Sequence, residues 1–134
     1  MARAHALGIR VVPWVGPSSI VLALMASGMN GQRFSFLGYL PQGQEPLRER
    51  LLEVQREAQR GITQVFIETP YRNERLLEAI ARTCAPTLRL CTASGLTGAD
   101  EAIIVQTIAQ WRALLARGGG PKLDRRPTVF LLMG

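Results

Sequence analysis

The chain has 134 residues, 47% of them hydrophobic and 19% charged, which is enough for one packed core and short for two. It contains no run of eighteen apolar residues, so an apolar bilayer-spanning segment is excluded, and the start, MARAHALGIR, lacks the pattern of a signal peptide; a cytoplasmic location follows. The net charge of +6 suits a nucleic-acid partner, but Lys122 is the one lysine and the arginines are scattered among acids, as the coding bias of a GC-rich genome also produces.

The first predicted strand is GIRVVPWV, residues 8–15. GPSS breaks it, with Ser18 or Ser19 placed to cap the following helix, SIVLALMASGM, which is apolar all round. RFSFLGYL, 33–40, alternates as a strand with one buried face. EPLRERLLEVQREAQRG sets Leu47, Leu51, Val54 and Ala58 at helical spacing, with Pro46 in its first turn and Gly61 after its end. ITQVFIET is the next strand. RNERLLEAIARTC is the next helix, with Leu76, Leu77, Ile80 and Cys84 on one side. TLRLCTAS is a strand, AIIVQTI a short strand or a helix entrance, and AQWRALLARG a helix with Trp111, Leu114 and Leu115 inward. After a glycine-rich loop, TVFLLMG closes the chain as a buried strand. Strands and helices thus alternate, predicting an α/β fold with a mixed sheet flanked by helices.

Cys84 and Cys91 fall on apolar positions and read as buried free thiols. The single histidine, His5, has no cysteine partners near it for a zinc site, so no metal is expected. In open α/β sheets ligands bind beyond the carboxyl ends of strands, and GPSS, IETPYRN and ASGLTGADE all end strands with more polar chemistry than a turn needs. Glu68 supplies acceptors and Thr69 both a donor and an acceptor. The plainer alternative makes Thr69 the cap of the next helix, Pro70 its first-turn residue and Glu68 a solvated side chain.

In series, GIRVVPWVGPSS, RFSFLGYLP, VFIETPYRNERLLEAI, LTGADE and RRPTVFLLMG resemble the C-terminal portion of the tetrapyrrole methylase family of S-adenosylmethionine-dependent methyltransferases. The likeness is nearest to the branch that methylates a ribose of small-subunit ribosomal RNA. It implies two α/β domains, the methyl donor in the cleft between them, and a homodimer. It further implies that residues 1–30 are the tail strand and linking helix of an N-terminal domain, and 31–134 the C-terminal α/β domain.

Residue by residue, the resemblance puts Ser18 and Ser19 beside the cofactor and Glu68 and Thr69 along its adenosine. Thr97 and Glu101 match an LT…E segment, and Pro127 and Thr128 match the strand entrance that closes over the adenine. The competing roles are structural: a cap for Ser18, a turn for Thr97, a plain strand position for Thr128. Ile67 replaces the usual aromatic before the acid, and Tyr71 stands where the RNA-directed branch often has histidine. The acceptor is therefore open between an RNA ribose and a small molecule such as a tetrapyrrole, and no catalytic residue is assigned. No strand followed by a glycine-rich loop corresponds to the family's first domain, so the chain reads as one side of the donor cleft in a longer enzyme, inactive alone. A non-catalytic RNA-binding or dimerisation module is the alternative.

Overall fold

The structure, a computed structural model, describes residues 33–69, 72–94, 102–121, 123 and 128–134. The strand and apolar helix predicted before residue 30 lie outside these. In chain order the elements are β1 (Phe34–Tyr39), α1 (Gln44–Gln59), β2 (Thr63–Ile67), α2 (Asn73–Thr83), β3 (Arg89–Ser94), β4 (Ala102–Thr107), α3 (Ile108–Ala116) and β5 (Thr128–Met133). They form a five-stranded sheet of order β1-β2-β5-β3-β4. β1 and β2 run parallel across α1, and β2–β5, β5–β3 and β3–β4 are antiparallel, so the mixed sheet expected from the sequence is present.

Hydrophobic continuity determines which strands are central. TQVFI of β2 is buried throughout and TVFLLM of β5 nearly so, as strands covered on both faces must be. Phe66, Leu90, Phe130 and Leu132 belong to the cluster on the helix-bearing face, where they join Leu51, Val54 and Ala58 of α1, Leu76, Leu77 and Ile80 of α2, and Ile108 and Trp111 of α3. Phe66 and Phe130, partners in the β2–β5 ladder, stack with ring centroids 5.7 Å apart. Val65, Ile67, Cys91, Ala93, Val129 and Leu131 form a second cluster made only of strand residues, on the opposite face. Among the described residues no helix is long and apolar enough to cross a membrane.

One reading left open is settled, and one changes. AIIVQTI is a strand through Thr107, and α3 begins at Ile108 because Thr107 caps it. The Thr107 hydroxyl accepts from the Gln110 N–H at 3.2 Å, and Oε1 of Gln110 accepts from the Thr107 N–H at 2.8 Å. That reciprocal box is written in the sequence as T-I-A-Q.

The reading that changes concerns β1. Its large residues were expected to be its buried face, yet Phe34, Phe36 and Tyr39 are 43%, 48% and 52% exposed. Among the described strands β1 lies at the edge of the sheet, and a register shift between Phe36 and Gly38 pairs Phe34, Phe36 and Tyr39 with Thr63, Val65 and Ile67. These partners are alternate residues of β2, so the three aromatics share one face, leaving half-buried Leu37 to pack on the helical core.

Cys84 and Cys91 are buried and unbridged, as the sequence indicated. Burial pushes both thiols up from 9.0 to about 12, with the Arg112 guanidinium pulling weakly the other way at Cys84. The unfolded chain releases these protons near pH 9 while the folded chain keeps them. The stabilisation is therefore complete below pH 9 and is lost as pH rises towards 12, at roughly 1.4 kcal/mol per pH unit for each thiol. Urea unfolding should show stability falling between pH 9 and 11, less steeply in the Cys84→Ala/Cys91→Ala double variant. Equal slopes in the two proteins would contradict this account.

Candidate functional site

β2 and β3 point their carboxyl ends the same way, because both run antiparallel to β5 between them. Ile67 pairs with Val129, and Glu68 and Thr128 are the next residues outward on those two strands. Thr128 in turn pairs with Ser94, which pairs with Ala102 of β4. One end of the sheet therefore gathers Glu68, Thr128 and Ser94 from three adjacent strands. All three are buried, in contrast to the solvated character usual for such residues at strand ends.

Side-chain alternation puts them on the helix-bearing face. Ile67, Ala93 and Val129 belong to the second cluster, so their neighbours Glu68, Ser94 and Thr128 turn the other way. Glu68 is 8% exposed. Its Oε1 accepts the Thr69 N–H at 2.7 Å and the Thr69 hydroxyl at 3.3 Å. Oε2 makes no hydrogen bond among the described residues. The corner thus holds a nearly buried carboxylate with one oxygen tied down and the other available to a hydroxyl or amino group.

For Glu68 and Thr69 the plainer alternative for IETPYRN is not what the structure has. The cap of α2 is Arg72, with no side-chain cap bond, while Thr69 is engaged with Glu68 and gives its backbone carbonyl to the Arg72 N–H at 2.9 Å. Glu68 is buried and bonded. Pro70 and Tyr71 lie outside the described residues, as do Ser18, Ser19, Thr97, Glu101 and Pro127. Of the eight site residues taken from the sequence, the structure describes Glu68, Thr69 and Thr128 and brings them to one end of the sheet.

Asn73 and Ser94 were missed. Ser94 Oγ reaches the Ala102 carbonyl at 3.4 Å. Asn73, fully buried at the start of α2, donates from Nδ2 to the Thr128 hydroxyl and to the Leu123 carbonyl, both at 3.2 Å. The signal for Asn73 was available: it stands three and four residues before Leu76 and Leu77, on the inward face of the helix. A groove of about 700 Å³ opens elsewhere, between α1 and α2, and is lined by Arg48, Arg75 and Arg82 together with Glu45 and Glu78; none of the strand-end residues lines it.

The architecture is that of a methyltransferase fold. The structure superposes on the crystal structure of the methyltransferase CobJ with a TM-score of 0.57 at 20% identity, covering 99% of this chain and 54% of that one. The sequence is 44% identical to the ribosomal RNA small subunit methyltransferase I of Pseudomonas aeruginosa over 79 residues, 59% of this chain and 26% of that protein. It is 33% identical to the protein of the same name from Xylella fastidiosa over 113 residues, 84% of this chain and 40% of that protein. No family model matches the chain. The chain is homologous to methyltransferases of the tetrapyrrole methylase family, and its relatives there carry the name ribosomal RNA small subunit methyltransferase I. It spans two fifths or less of the length of these two curated relatives.

Proposed function

We propose that this chain is the C-terminal part of an S-adenosylmethionine-dependent methyltransferase and forms one side of the donor cleft. The observation that carries the reading is homology over 84% of the chain to a protein named as a ribosomal RNA methyltransferase. The chemistry at the strand ends fits: an adenosine offers ribose hydroxyls and an amino group, and Glu68 offers an acceptor oxygen beside them. In this reading Glu68 and Thr69 line the adenosine and Thr128 enters from β5, with Ser18, Ser19, Thr97, Glu101 and Pro127 completing the wall. The donor supplies, when bound, a sulfonium-activated methyl carbon. The chain's residues bind and orient it and exclude water, and a general base is needed only if the acceptor is a hydroxyl.

The acceptor we favour is RNA of the small ribosomal subunit, by homology, with a small molecule such as a tetrapyrrole as the other candidate. A cytoplasmic homodimer and a domain division near residue 30 belong to the same reading. Exposed Phe34, Phe36 and Tyr39 on one face of the β1 edge favour a second role for this chain, that of a dimerisation or interdomain surface. The test is titration of S-adenosylmethionine and S-adenosylhomocysteine into the parent protein, followed by transfer of a labelled methyl group to small-subunit RNA. Binding with transfer is expected. A parent protein that binds neither compound would remove the reading.

A further inference from the structure

The segment that leads into β5 is held by the first turn of α2. Leu123 is separated from Asn73 by 50 positions in sequence, and both of its backbone polar groups are bonded to adjacent α2 residues. Its carbonyl accepts from Asn73 Nδ2 at 3.2 Å, and its N–H donates to Glu74 Oε2 at 3.1 Å. Its side chain is buried in the helical core. Asn73 also reaches over to Thr128, at the first position of β5, so its amide nitrogen spends two donors on two points of one segment. A single buried side chain thereby ties Leu123 and Thr128 to the start of α2.

α2 itself starts only a few residues after Glu68 and Thr69. The same turn that emerges from the Glu68 corner therefore fixes the chain entering β5. Hydrogen bonds inside a protein are worth most where both partners are shielded from water, and Asn73 and Thr128 are both buried. Plain burial of α2 needs none of this, since Leu76, Leu77 and Ile80 already bind it to the core. Polar groups at these positions specify one spacing between two segments, which an apolar contact would leave looser.

We infer that Asn73 and Glu74 are positioning residues that set the distance between the Glu68–Thr69 corner and the chain at Leu123 and Thr128, the first residue of β5. This rests on the donor-cleft reading above, in which those two segments are walls of one cleft. The pair acts through Leu123 and Thr128 without touching the donor.

The experiment uses the parent protein and S-adenosylhomocysteine as the probe, by calorimetric titration well below the thermal midpoint. Asn73→Asp keeps the shape and removes the Nδ2 hydrogens, and should weaken binding about tenfold or more. Glu74→Gln keeps an acceptor for the Leu123 N–H and should bind as wild type. Glu74→Ala should weaken binding and speed hydrogen exchange of the Leu123 amide about tenfold. Gln55→Ala is the control: it removes a side-chain bond to the Ala85 N–H, beyond the far end of α2, and should lower thermal stability while leaving affinity within about twofold.

Asn73→Asp binding as tightly as wild type overturns the inference and leaves the donor reading intact. Gln55→Ala weakening binding as much as Asn73→Asp also overturns it, since the effect would then be loss of stability in general. If the wild-type parent binds no S-adenosylhomocysteine, the donor reading falls and takes the inference with it.

Discussion

Trp111→Ala is expected to cost this domain about 3–5 kcal/mol, the range for removing a large buried aromatic. Trp111 is fully buried at the meeting of α3 with the sheet, and its indole N–H donates to the Leu90 carbonyl at 3.0 Å. Truncation leaves a cavity and takes away that donor. Arg112, next in the chain, gives its guanidinium to the Ala81 and Cys84 carbonyls at the end of α2, so displacing α3 also uncaps α2. Against a typical net stability of about 5–15 kcal/mol, the loss is large enough to leave much of the protein unfolded near physiological temperature. Trp111→Phe keeps most of the volume and loses the donor, and about 1–3 kcal/mol is expected. Urea unfolding followed by circular dichroism decides the matter. A Trp111→Ala variant within about 1 kcal/mol of wild type would mean that α3 is not packed as described.

The fold was legible wherever hydrophobic period and length were unambiguous. Leu51, Val54 and Ala58 are buried on α1 as their spacing requires, and the unbroken apolar run VFLLM announced a buried strand. Strand order was not legible, because nothing local to TVFLLM says that it inserts between β2 and β3. The outer place of β1 among the described strands was equally hidden, because a position in a sheet is decided by which other strands pair, and the exposure of its aromatics goes with that place.

At the site, Glu68 and Thr69 could be singled out because polar residues terminate an otherwise apolar strand. Their bond to each other could not, since a Thr-Pro pair before a helix is equally good capping chemistry. Asn73 shows a different kind of loss. Its helical phase was readable, but its partners Leu123 and Thr128 are 50 and 55 residues away, and no periodicity carries that information.

Glu68→Gln in the parent protein is the substitution that separates the two roles left for this carboxylate. If Glu68 serves only to hold Thr69, glutamine should do nearly as well, because its carbonyl oxygen can take the place of Oε1 as acceptor for the Thr69 N–H and hydroxyl. If Oε2 receives a ligand hydroxyl or amine, glutamine puts an NH₂ there instead, so a charged acceptor is exchanged for a donor facing another donor. A hydrogen bond to a charged group contributes about 1.5–3 kcal/mol, so affinity for S-adenosylhomocysteine should fall by roughly 10- to 100-fold. Thermal stability should move little, since the internal bonds survive. Glu68→Ala should lose the same affinity and some stability as well, because the Thr69 N–H then has no carboxylate to meet. The contrast between affinity and stability is what matters: a Glu68→Gln protein that binds as tightly as wild type would make Glu68 a local strut, and the donor would have to be held by other residues.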